Sequence, residues 1–215
     1  MKRWGVIVTA CYAVLLVGCL LIGLEGEDVR SIIRDARTFF ALWATILLGG
    51  QALLLFLSVD TSQRKLTPRR HILVSAATAA ILVALLMHAF IYSLLAGIKG
   101  DDMDKVVPGV VSEWGAYGLL AVLWGVWMVV FWRYARGGSL TTTRIVGWLL
   151  RGSVLELLVA VPSHVWARRR DDCSAPAVTG YGIATGLAIM LLSFGPSVFF
   201  LYKKRLEKYP ARPGA

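Results

Sequence analysis

The chain has 215 residues, of which 57% are hydrophobic and only 17% charged, and its net charge is +10. A soluble domain is about a quarter charged, and so large an apolar surplus in water would leave wide adhesive patches. A mean hydropathy of +0.67 therefore places much of the surface against lipid. The positive balance does not indicate nucleic acid, because the Lys and Arg residues flank apolar runs and no basic helix stands apart from them.

The first apolar run covers 4–24 and follows a basic Met-Lys-Arg start. Leu16-Val-Gly-Cys19 resembles the lipobox of bacterial lipoprotein signal peptides. The residues after it, Leu20 to Leu24, stay apolar where a lipoprotein turns polar, so the run is read as a retained span. Cys11 and Cys19 share this helix eight residues apart, about 12 Å, which is too far for a disulfide. Residues 25–37 follow, with Val29, Ile32, Ile33 and Ala36 at helical intervals and charges between them, the pattern of a short amphipathic helix at a membrane surface.

Five more runs follow at 38–59, 72–98, 115–135, 145–167 and 180–202. Each is near the ~20 residues needed to cross ~30 Å of hydrocarbon as a helix, and the alternation of a membrane barrel is absent. Between them lie a polar loop at 60–71, an acidic loop at 99–113 that begins GDDMDK, and a turn at 136–144; residues after 202 leave the membrane. The fold class is thus all-α: a polytopic membrane bundle of six transmembrane helices in a single domain over 1–215, with a short amphipathic helix between the first two.

With the N-terminus inside, the inner ends carry 14 Lys and Arg residues and the outer loops 8, which places both termini on the cytoplasmic side. Arg168–Arg170 run against that bias. Trp4, Trp132, Tyr134, Trp148 and Tyr202 on one side, and Trp114, Tyr117, Trp166 and Tyr181 on the other, fit aromatic belts. The expected setting is a bacterial inner membrane, with anionic headgroups contacting the basic residues; protein partners or a homo-oligomer stay open.

The fifth run is the unusual one. At helical spacing Ser153, Glu156, Ala160, Ser163 and Ala167 form one small, polar stripe, while Leu155, Leu157, Leu158, Val159 and Val161 cover the rest. Such a stripe turns Glu156 toward protein. An ionised carboxylate at mid-membrane costs about 2.5–3.5 kcal/mol on insertion scales, so it needs a partner, a proton or water. Counted from the outer ends of their runs, Glu156 is about 11 residues deep, His88 about 10 and Gln51 about 13, with Ser193 similar; at ~1.5 Å per residue they share one level. Two readings compete. One is a proton- or ion-linked site, with a His88–Glu156 pair; the other is a satisfied polar clasp that fixes packing.

A second cluster closes the same run: His164, Arg168, Arg169, Arg170, Asp171, Asp172 and Cys173. It reads either as a self-neutralising ion cluster, with Asp101, Asp102 and Asp104 as further partners, or as an outward pocket for a phosphate or carboxylate. His164, Asp171, Asp172 and Cys173 suit a metal by type, but their spacing matches no strong pattern. His88 and His164 differ by about 10 Å in depth, which disfavours a shared haem. Gly182 and Gly186 form a GxxxG for close packing, Pro162 removes a helix hydrogen bond, and Gly195-Pro196 supplies a kink or hinge. No nucleotide loop, HExxH or GxSxG occurs and the sequence specifies no cofactor.

Three functions follow as expectations: a membrane-complex subunit or scaffold with a buried polar clasp; a small permease or channel using Glu156 and His88; and a membrane enzyme with an outward pocket of His164, arginines and Asp171.

Overall fold

The structure, a computed structural model, describes residues 2–25, 29–56, 69–102, 105, 112–136, 142–170 and 172–208. These residues form seven α-helices and no strand: α1 Lys2–Gly23, α2 Val29–Asp35, α3 Arg37–Phe56, α4 Arg69–Lys99, α5 Glu113–Arg136, α6 Thr142–Arg169 and α7 Ala175–Lys208. Six of them, all but α2, are long and apolar enough to cross a membrane. Helices are the outcome that apolar runs of this length dictate, because each backbone N–H and C=O must find its partner within the segment.

The six expected spans each meet one of these helices. Most of the helices overrun the expected bounds by a turn or less. α7 begins five residues earlier, at Ala175, and continues to Lys208, past residue 202 where the chain was expected to leave the membrane. α6 runs through Pro162 without interruption. The expected loops at 60–71, 99–113 and 136–144 fall largely outside the described residues.

The amphipathic segment forms only the seven residues of α2, and it does not float on lipid alone. Ile32, Ile33 and Ala36 pack against the hydrophobic core, and Phe40 N–H continues the turn by donating to the Ala36 carbonyl at 3.0 Å.

α4 and α7 are the axis of the bundle. α4 packs on α3, α5, α6 and α7, and α7 packs on α1, α3, α4 and α6. Both helices are rich in small buried residues: Ala76, Ala79, Ala80, Ala84, Ala89 and Ala96 on α4, and Ala175, Ala184 and Ala188 on α7, are fully covered. Lipid tails are as apolar as leucine, so helices associate through close backbone approach and van der Waals packing, and small side chains permit it.

α7 carries two such stripes on different faces. Gly180, Ala184 and Ala188 face α1: a methyl at Gly23 would sit 2.9 Å from Ala184 Cβ, and Tyr12 Oη donates to the Ala188 carbonyl at 3.0 Å. Gly182 and Gly186 face α6. At the end of the bundle that holds Gly23, Lys99 and Arg169, Gly100 turns the chain at φ 59°, with Asp172 packed where a side chain would stand.

Candidate functional site

Glu156 is buried, with 1% of its surface exposed, whereas Leu155 and Leu158 on the other faces of α6 are 60% and 66% exposed. Of the stripe, Ser153, Glu156, Ala160 and Ala167 are buried as the spacing requires, and Ser163 is half-buried. Ser93 of α4 donates its hydroxyl to Glu156 Oε1 at 3.1 Å. Gly182 makes the room: a methyl there would overlap Ser93 Oγ and lie 2.8 Å from Glu156 Oε1. One turn on, a methyl at Gly186 would lie 2.9 Å from the Leu157 side chain and 3.3 Å from Glu156 Cγ. Glu156 Oε2 is buried and accepts no hydrogen bond from the described residues.

His88 lies in an aromatic box. Its ring stacks on Tyr92 at 4.5 Å between centroids, Phe39 of α3 stands 6.1 Å away, and Tyr181 of α7 meets Phe39 edge-on at 5.1 Å. His88 Nδ1 and Tyr181 Oη are 3.3 Å apart. Nε2 is buried and has no hydrogen-bond partner among the described residues.

His88 and Glu156 do not bond to each other. Each takes its own partner, Tyr181 for one and Ser93 for the other, and they rest against neighbouring residues of α7. Gln51 and Ser193, expected at the same level, sit deeper. Trp43 Nε1 donates to Thr185 Oγ1 at 3.0 Å, and Gln51 and Ser193 each lie eight residues, about 12 Å, beyond that bond on their helices. Ser193 donates to its own helix at Ile189, and Gln51 Oε1 is buried without a partner among the described residues.

The charged cluster after α6 divides among separate tasks. His164 Nδ1 lies 2.9 Å from Thr179 Oγ1. Arg168 donates to the Glu25 carbonyl, tying α6 to the end of α1. Arg170 donates to the Ala96 carbonyl at 3.0 Å and the Ile98 carbonyl at 3.4 Å, the orphan acceptors at the C-terminus of α4, and pairs with Asp172 at 2.9 Å. Arg169 and Cys173 are exposed, and Asp171 lies outside the described residues. Asp102 pairs with Lys105 at 2.6 Å, a hydrogen bond and opposite charge that hold the lysine above its ordinary pKa, while Asp104 lies outside the described residues. Among the described residues no three His, Cys, Asp or Glu side chains gather to hold a metal.

Two apolar grooves open sideways, at lipid level. One of about 660 Å³ runs between α4, α5 and α6, past Leu86, Phe90, Trp127, Phe131, Trp148 and Arg151. The other, about 670 Å³, lies between α3, α4 and α5, past Ile46, Ile81, Tyr117, Ala121 and Trp124. Neither is lined by Glu156 or His88.

No protein-family model, curated protein or solved structure matches the chain. The chemistry of the site therefore rests on its own geometry. Ser93 was not singled out from sequence, because a serine in a span bonds its own helix as readily as a neighbour. The signal available was Gly182: a small residue on one helix implies something bulky or polar opposite it.

Proposed function

We propose that the protein is a membrane-complex subunit, a six-span bundle whose buried polar groups fix its packing and whose α5 docks a transmembrane helix of a partner. One observation carries this reading. Gly23, Gly97, Gly180, Gly182 and Gly186 all have a neighbour within contact of the missing side chain; of the glycines with none within 4 Å, Gly18 on α1, Gly49 on α3 and Gly147 on α6 stand singly, whereas Gly118 and Gly125 share α5. Those two and Ala121 fall at i, i+3 and i+7, one exposed stripe of small residues beside the exposed Trp114 and Trp124. A stripe of this kind permits close backbone approach, and facing lipid it gains nothing. The setting is a bacterial inner membrane with both termini cytoplasmic, as the Lys and Arg distribution favours.

The test is to extract the chain from membranes into polymer nanodiscs without detergent and weigh the particle. The expected protein mass exceeds the 23.5 kDa of one chain. Gly118→Leu and Gly125→Leu reduce it to one chain. A single chain at every expression level, with no effect of either variant, defeats this reading.

A second reading is favoured by Glu156 Oε2 and His88 Nε2, buried atoms that find no partner among the described residues. They suit a proton- or ion-linked permease at that level. Proton flux in proteoliposomes, abolished by Glu156→Gln, is its test. The outward enzyme has less support: Arg168 and Arg170 are engaged by backbone carbonyls and His164 by Thr179, rather than converging on a pocket.

A further inference from the structure

We infer that the groove between α4, α5 and α6 is a binding site for one anionic phospholipid, with its phosphate held by Arg151 and an acyl chain laid along the groove. Arg151 is exposed and lines the groove together with Gly152 and Leu155. Among the described residues its guanidinium has no ion pair, hydrogen bond or ring contact. Farther along the chain Arg168 and Arg170 bind backbone carbonyls instead, and Arg169 is exposed at the opposite end of α6.

Depth makes the unpaired charge informative. Arg151 lies seven residues, about 10 Å, beyond Arg144, where the span begins. Tyr134 and Trp148 touch at 5.3 Å and Phe131 meets Trp148 at 5.4 Å, so an aromatic belt lines the groove beside Arg151. Such belts mark the boundary between headgroup and hydrocarbon. A guanidinium at that boundary reaches outward along its own stem, and a phosphate oxygen pair fits its fork. The remaining walls, Leu86, Met87, Phe90, Trp127, Val130 and Leu155 among them, offer no polar side chain to recognise a solute. A basic residue at one end of an apolar trough between spans is the arrangement that selects a charged lipid headgroup.

The experiment is native mass spectrometry of the purified full chain, titrated with phosphatidylglycerol and with phosphatidylcholine of the same acyl chains. The wild-type chain is expected to retain one phosphatidylglycerol preferentially. Arg151→Gln lowers that preference about tenfold, the worth of one charge-assisted contact to phosphate. Arg151→Lys recovers only part of it. Arg133→Gln removes a nearby arginine that does not line the groove and leaves the preference intact. Val130→Trp fills the groove and weakens both lipids. The inference is overturned if the wild-type chain shows no preference, if Arg133→Gln costs as much as Arg151→Gln, or if inorganic phosphate displaces the lipid. Should Arg151→Gln fail to fold, unchanged lipid retention by Val130→Trp overturns it equally.

Discussion

Ser93 reaches across from α4 to donate to Glu156 of α6, at 3.1 Å, over a glycine of α7 that leaves them the space. Three helices are thereby locked at one point by a hydrogen bond that water cannot compete for. In lipid such bonds contribute modestly, about 0.6 kcal/mol on average and up to ~2. Their selectivity is larger than their energy, because any rotation of α6 that exposed the carboxyl to acyl chains would forfeit the bond and add the desolvation cost of the group.

Gly182→Ala tests the lock directly. The added methyl overlaps Ser93 Oγ and approaches Glu156 Oε1 to 2.8 Å. Overpacking of this kind costs about 1–3 kcal/mol. Gly147→Ala is the control, since nothing lies within 4 Å of a methyl there and alanine favours the helix. Unfolding in mixed micelles should show the first variant destabilised and the second neutral or slightly stabilised.

The spans and the buried face of α6 were legible because lipid enforces simple rules: about 20 apolar residues make a span, and a carboxylate turns inward. Partner identity was not legible. Depth counting placed Gln51, His88, Glu156 and Ser193 on one level, but it assumes upright helices that start together. α3 and α7 run parallel and are stapled at Trp43–Thr185, which carries Gln51 and Ser193 about 12 Å further on. Likewise RRRDDC reads as one cluster along the chain, yet Arg168 and Arg170 diverge, because the carbonyls they satisfy lie in the turn just past α1 and at the end of α4, invisible to local sequence.

Glu156→Ala removes the acceptor and leaves the Ser93 hydroxyl buried without one. The expected loss is about 1–3 kcal/mol. Glu156→Gln keeps an acceptor oxygen of the same reach and should unfold within about 1 kcal/mol of the wild-type chain, the net worth of a typical hydrogen bond. The same pair measured in proteoliposomes distinguishes clasp from permease: equal, negligible proton flux in the wild-type chain and the Gln variant is the expected result for a clasp.

Arg170→Gln withdraws the donor that covers the Ala96 and Ile98 carbonyls at the end of α4. Because Arg170 is only partly buried, solvent replaces part of what is lost, and the expected cost is about 1 kcal/mol. Hydrogen exchange should accelerate at residues 96–102 and stay unchanged around Glu156. Gly100→Ala acts on the same corner by another route, forcing a side chain into φ 59° and into the Asp172 carboxylate, at about 1–2 kcal/mol.

Gly180→Leu separates α1 from the rest. At Gly180 the backbone of α7 touches the backbone of Gly23, with Leu24 Cδ2 3.4 Å from where a methyl would stand. α1 is held chiefly by α7, with fewer contacts to α3, and most of its outer face, Val6, Val14, Val17 and Ile22 among them, is already given to lipid. A leucine at this contact cannot be accommodated by a flexible neighbour, since the obstacle is main chain, so the helices must part by the width of a side chain. That separation breaks the Tyr12 to Ala188 bond, about two turns along the same face, and leaves a buried phenol unpaired. Cysteine accessibility reports it: Cys19, buried against the bundle in the wild-type chain, should become reactive toward a membrane-permeant maleimide, while Cys11, already exposed, reacts equally in both. Unchanged protection of Cys19 in Gly180→Leu would mean that α1 is held by something other than the Gly23–Gly180 contact.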